Sequence, residues 1–325
     1  MKQLKLILAG LFMCTCVSLS AQENNAPKGE PIIVIFSNFH TGFGSYNDDR
    51  GFGIDRSYLG YQYQLTDELQ IKAVMDVGKS SDVGDYQHIA YIKNAMVSWK
   101  TGALTLNAGI IPLTATDFQE KYWGHRYIMK TFLTQYKFGD SADIGLSAAY
   151  KFNDWLSADV MVSNGEGFKK IQSNDGLLYG LGATITPAEG LTLRLYAGLN
   201  EGATAADDDI FNFSSLLGYK GDSFYLAAEY NIMQNTKYVK GADMDGFSVF
   251  GAVNLNKTAE IYARYDQIAS KDDWNIAKDE SAIIAGMQFK LNDYIKLAPN
   301  FRMNMPKADG ADNKCMAYIS CQFSL

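Results

Sequence analysis

Nowhere in these 325 residues do 18 apolar residues run together. A helix that crosses a bilayer needs about 20, so no transmembrane helix is expected. The longest apolar run beyond the N-terminal segment, Pro31 to Phe36, is far too short. Cysteine is scarce: Cys14 and Cys16 lie in that N-terminal segment, and only Cys315 and Cys321 lie beyond it. On one strand those two stand about 20 Å apart, out of reach of a disulfide. This is no disulfide scaffold. Histidine is scarcer still, with His40, His88 and His125. A Ser–His–acid or barrel-protease site needs a histidine beside a nucleophile or paired carboxylates, and only His88, in Asp85-Tyr86-Gln87-His88, comes near that pattern. Glycine-rich phosphate loops and zinc-ligand spacings are absent. An enzyme, a cofactor and a bound metal are therefore not expected. Basic charge is also short, because the formal net charge is −7. That argues against nucleic acid as a partner.

What is present begins with an export signal. Lys2 and Lys5 form a basic start, Leu6 to Val17 an apolar core, and Ser18-Leu19-Ser20-Ala21-Gln22 a small-residue end. This reads as a secretory signal peptide over residues 1–22, cleaved near Ala21. Met13 before Cys14 and Thr15 before Cys16 do not suit lipidation. Loss of Lys2 and Lys5 takes the formal charge from −7 to −9. Residues 23–325 are then expected to form one domain, and residues 23–30 are too few for a plug domain.

That domain repeats one unit, a short alternating segment followed by a turn. Cys315, Ala317, Ile319, Cys321, Phe323 and Leu325 alternate with Met316, Tyr318, Ser320, Gln322 and Ser324. Leu69, Ile71, Ala73, Met75 and Val77, then Leu191, Leu193, Leu195, Ala197 and Leu199, repeat the pattern, as do Ile283, Ala285, Met287, Phe289 and Leu291. Period two marks strands with one apolar face. The connections alternate between short turns, such as Lys100-Thr101-Gly102 and Asn292-Asp293, and long loops such as 114–140, 164–176 and 268–280. Seven short turns and eight long loops imply sixteen strands with both chain ends on the short-turn side. The expected fold class is all-β: a transmembrane antiparallel β-barrel of about sixteen strands, located in the outer membrane with lipid around it.

Charge decides which face meets lipid. A soluble barrel would bury the apolar face, but the polar face here carries Arg56, Lys72, Asp76, Lys151, Asp159, Arg194, Glu229, Glu260, Arg264, Asp266, Lys290, Lys296 and Arg302. A dry interior could not hold these, whereas a water-filled lumen could. Tyr61, Tyr63, Trp99, Tyr150, Phe152, Tyr219, Phe224 and Phe289 gather beside the short turns, as an interfacial girdle does. Two residues break the pattern. Lys93 falls on the apolar face, and Pro299 sits inside a strand. Each calls for a bulge or a different register.

The connection 114–140 is dense in aromatic and apolar residues, with Phe118, Tyr122, Trp123, Tyr127, Ile128, Phe132, Leu133 and Tyr136. Long loops of this kind usually carry function. The segment is expected to fold inward and pack its aromatic side on the wall. Its other side, with Lys121, His125, Arg126 and Lys130, would then narrow the pore. An aromatic lid outside the barrel is the alternative. With Arg56, Lys72, Arg194, Arg264, Lys290, Lys296 and Arg302 on the lumen wall, a modest preference for anions follows.

Some segments resemble a known family. Phe52-Gly53-Ile54-Asp55-Arg56-Ser57-Tyr58-Leu59-Gly60, the stretch Ala90 to Val97, and Leu104-Thr105-Leu106-Asn107-Ala108-Gly109-Ile110-Ile111-Pro112-Leu113 are similar to strands of the porin O/P-like, phosphate-selective porins. The likeness covers about the first half of the chain. It implies a sixteen-strand, trimeric, anion-preferring porin with an inward loop after Pro112. The family's phosphate-binding basic ladder does not map onto residues of this chain. Together these readings point to a passive channel for small polar or anionic solutes. A closed or plugged barrel with a structural or surface-binding role is the alternative.

Overall fold

The computed structural model describes residues 28–79 and 87–325. The expected signal peptide and most of the connection 79–85 lie outside the described residues. The strands are β1 Gly29–Phe43, β2 Arg50–Gln64, β3 Leu69–Lys79, β4 His88–Thr101, β5 Leu104–Pro112, β6 Ala142–Lys151, β7 Leu156–Ser163, β8 Leu178–Ala188, β9 Leu191–Asn200, β10 Ile210–Lys220, β11 Phe224–Gln234, β12 Met244–Asn254, β13 Ala259–Ser270, β14 Glu280–Lys290, β15 Ile295–Pro306 and β16 Lys314–Ser324. Each pairs antiparallel with its sequence neighbour, and β1 pairs with β16, closing the barrel. Closure leaves no edge strand with unpaired backbone groups, which a hydrocarbon environment would not tolerate. No helix among the described residues is long and apolar enough to cross a membrane; the strands do so.

Alternation sets the two faces. Leu59, Ile71, Leu146, Leu181, Leu217, Val249, Ile261 and Ile319 are exposed on the outside. Asp76, Arg194, Glu229, Arg264 and Asp266 are buried on the enclosed side. A contiguous apolar exterior of this extent is unfavourable in water and matched to lipid. Of the expected girdle residues, Tyr61, Trp99, Tyr150, Phe152, Tyr219 and Phe224 are exposed near the short turns, while Tyr63 and Phe289 are half-buried. The barrel has the architecture of an outer-membrane protein.

Both irregular residues have a structural account. The β3–β4 register shifts between Val74 and Met75, so that Val74 faces Asn94 and Met75 faces Ile92. Lys93 is the extra residue of this bulge, and its ammonium lies 4.8 Å from the ring centroid of Tyr58 on the enclosed side. A second bulge, between Phe36 and Ser37, leaves Asp55 as the extra residue beside Arg56. Pro299 behaves differently. The β14–β15 ladder pairs Gly286 with Asn300 and resumes at Phe289 with Leu297 in the same register. Pro299 thus interrupts the ladder locally, as a residue without an N–H must, while still pairing with Ile319 of β16.

Gly109, in the Ala108-Gly109 pair before the long loop, has φ +111°, and a Cβ there would stand 2.2 Å from the Ala95 carbonyl oxygen. Only glycine suits that backbone.

Candidate functional site

The chain leaves β5 at Pro112 and does not pair again until Ala142. Between them lie helix α1, Thr114–Trp123, and one helical turn, α2, Phe132–Gln135. The Thr116 hydroxyl contacts the carbonyl oxygens of Leu113 and Asp140, at 3.1 and 3.0 Å, tying the start of the excursion to its end. α1 stops at Gly124, whose φ of 69° is the left-handed C-cap, and the Gly124 N–H donates to the Glu120 carbonyl.

Apolar packing seats the segment on side chains of the enclosed face. Trp123 is 1% exposed and meets the Phe250 ring edge-on at 5.2 Å. Tyr122 meets Tyr225 and Phe250, each at 6.4 Å. Gly218 of β10 makes room for it, since a Cβ there would lie 2.3 Å from the Tyr122 hydroxyl. Tyr127 packs on Phe36 of β1 at 6.2 Å. Further along, Phe132, Leu133 and Phe138 pack with Tyr196, Met233, Met244 and Ile268. Each large side chain buried this way contributes about 1.5–3 kcal/mol.

Hydrogen bonds fix the orientation. His125 Nε2 lies 2.5 Å from Glu260 Oε1. Gln288 Nε2 donates to the same oxygen at 2.7 Å, and the Tyr127 hydroxyl donates to Gln288 Oε1 at 2.7 Å. The Tyr225 hydroxyl donates to the Trp123 carbonyl at 2.9 Å. Arg264 donates to the Lys130 carbonyl at 2.7 Å while both its other contacts go to Asp266. Gln119 donates to the Ser214 hydroxyl at 3.1 Å. Contacts thus run from β9 to β14 and reach β1.

The expected site residues divide into distinct environments. Arg126 and Lys130 line one cavity of about 640 Å³ together with Arg56 and Arg302. Lys121 is outside that group: its side chain is largely exposed and pairs with Asp117 at 2.6 Å. Lys72 of β3 lies within electrostatic range of Asp117, Lys121 and Lys93. His125 does not face open space. It is 3% exposed and turned to the wall, because Glu260 and the Trp123 carbonyl satisfy both ring nitrogens. Arg194 is paired with Asp159, and Arg264 with Asp266 at 2.7 Å, so neither is a free wall charge. Lys290 sits at the short-turn rim, paired with Asp293 at 2.7 Å. Lys296 is half-buried, its charge within reach of Glu260.

Around the cavity, Arg56 pairs with Asp76 at 2.9 Å and Arg126 with Glu120 at 3.1 Å. Arg302 donates to Asn300 and Ser320 and lies 3.7 Å from the Tyr318 ring centroid. Burial, reinforced by the Arg56 and Arg126 charges, pulls the Lys130 ammonium down to a pKa of about 8. Asp55, Lys314 and Tyr318 also line the cavity, and the sequence pattern had not singled them out. Asp55 was hidden because strict alternation hides a bulged residue. Lys314 was hidden because it borders a loop.

No protein-family model matches this chain, and no curated protein matches it in sequence. Solved structures do match in shape. The fold is that of a porin. The outer membrane channel DcaP of Acinetobacter baumannii superposes with a TM-score of 0.70 at 12% identity, covering 94% of this chain and 99% of that one. OmpT of Vibrio cholerae, an outer-membrane protein, gives 0.67 at 15%, covering 94% and 99%. An anion-selective porin from Comamonas acidovorans gives 0.67 at 12%, covering 92% and 100%. These likenesses concern the fold. The narrower resemblance to phosphate-selective porins rests on the short motifs alone.

Proposed function

We propose that this protein is a passive outer-membrane channel for small anionic or polar solutes. The observation that carries this reading is the convergence of Arg56, Arg126, Lys130 and Arg302 on one cavity inside a porin-like barrel. These cations come from β2, β15 and the 113–141 segment. Lumen charge of this kind selects ions by electrostatics without a chemical step. The 113–141 segment acts as the constriction, with Lys121, Arg126 and Lys130 toward the solute path and His125 as its anchor. The reading also takes the chain to be secreted by its signal peptide and to assemble as a homotrimer; OmpT of Vibrio cholerae, of similar fold, has a trimer form.

A plugged barrel with a structural or surface-binding role is favoured by one observation. The segment touches β1 through Tyr127 and Phe36 as well as the opposite wall. Planar-bilayer recording in a KCl gradient separates the two. A stable conductance whose reversal potential favours chloride supports the channel. Silence from folded, inserted protein sinks it in favour of the plug.

A further inference from the structure

The 640 Å³ cavity has a second character besides charge. It opens at the long-loop end, bounded by Tyr46, Pro306 and Lys314. Its volume lies within the usual range of small-molecule sites, about 300–1,000 Å³. One part of its lining is apolar although it belongs to the enclosed face. Met129, Tyr46, Tyr318 and Pro306 line the cavity half-buried, so that apolar surface stays open to a ligand, whereas Ile284 and Met316 are closed over at 1% and 2% exposure.

The charges are unevenly compensated. Arg56 and Arg126 have carboxylate partners. Among the described residues, no carboxylate lies within 4.0 Å of Lys130 or Arg302. The lowered pKa of Lys130 comes from burial first and then from the positive surrounding set by Arg56 and Arg126. Two acids also line the cavity. Asp55 is held by the Asn38 amide at 2.9 Å and Glu280 by the Asn304 amide at 3.0 Å. They compensate the cations in part and repel a second negative charge on any ligand.

We propose that this cavity binds organic monoanions: a single carboxylate held at Lys130 among the cations of the cavity, with an apolar body against Met129 and Tyr318. The site would capture such solutes at the outer mouth, and in that role it rests on the channel reading. Binding itself does not. Dianions and compact inorganic anions fit poorly, the former because of Asp55 and Glu280, the latter because they leave the apolar lining in contact with water.

Isothermal calorimetry on folded protein in detergent tests this with benzoate, acetate, phthalate and inorganic phosphate. Benzoate is expected to bind at least tenfold more tightly than acetate or phosphate, with phthalate no better than benzoate. Lys130→Met and Met129→Ser should each weaken benzoate at least tenfold, with heat-modifiable gel migration confirming a folded barrel. At pH 8, binding should take up about half a proton, because the anion restores the charge of a Lys130 that is about half neutral there; the uptake vanishes in Lys130→Met. Equal affinity for acetate and benzoate, a preference for phthalate or phosphate, or an unchanged Lys130→Met would overturn the proposal. Benzoate binding without KCl conductance would sink the channel reading alone. Conductance without benzoate binding would sink this proposal alone.

Discussion

His125 and Glu260, 135 positions apart in sequence, meet at 2.5 Å between the excursion after β5 and the wall strand β13. Both are largely buried, with 4% and 15% of their side chains exposed. The contact shares Glu260 Oε1 with Gln288, which also receives Tyr127. Four side chains, two on strands and two on the segment, therefore lock together, and removing one leaves buried polar groups without partners.

Glu260→Ala is expected to loosen the segment while leaving the barrel closed. Leaving a buried polar group without its partner costs about 1–3 kcal/mol. Single-channel recording should show larger and noisier conductance steps. Heat-modifiable gel migration should show an intact barrel. An unaltered, quiet trace would mean that apolar packing of Trp123 and Tyr127 holds the segment without the latch.

Lys130 predicts a pH dependence of selectivity. Its pKa is lowered to about 8, by burial first and then by Arg56 and Arg126. It is charged below that value and neutral above. Chloride preference should therefore fall as pH rises from about 7 to about 9, with its midpoint near 8. Reversal potentials across that range check it, and Lys130→Met should be flat. Joint neutralisation as Arg126→Gln with Lys130→Met should move selectivity toward cations at every pH.

The lipid face makes a sharper demand. Leu146, mid-strand in β6, is 63% exposed on the outside. Leu146→Arg should cost about 2–4 kcal/mol of folding into bilayers. Asn107→Arg, on the enclosed side opposite Ser147, should cost much less, because water can reach the guanidinium. Urea titrations of folding into vesicles compare the two. Equal costs would contradict the assignment of faces.

Gly109→Ala tests the backbone before the excursion. The new methyl would meet the Ala95 carbonyl oxygen at 2.2 Å in a conformation with φ +111°. Strain of this kind costs about 1–3 kcal/mol. Slower refolding and a lower unfolding midpoint are expected, and unchanged stability would show that β4 and β5 can part locally.

Alternation alone made the faces, the strand count and the place of the excursion readable, because side chains on a strand change sides at every residue. Period two gives no warning of an inserted residue. Lys93 looked like a charge facing lipid, and the bulge beside Val74 turns it inward. The bulge at Asp55 sets an acid beside Arg56, which strict alternation would have kept on opposite faces. Pro299 called for a bulge or another register, and the ladder instead skips it in register.

From the sequence by itself come the period, the lengths of the connections and the density of aromatics between Pro112 and Ala142. These are local properties, and they determine that strands form, which side of each is apolar, and which loop differs from the rest. Closure of the barrel decided what they could not. It brought Arg56, Arg126, Lys130 and Arg302, scattered over three stretches of chain, onto one cavity. It also gave Arg194 of β9 a carboxylate partner in Asp159 of β7 and turned His125 to the wall, whereas Arg264 finds Asp266 two residues along its own strand. Charge reads the same in a sequence whether paired or free. Only distance in three dimensions separates the cations that neighbouring acids neutralise from those left facing the lumen.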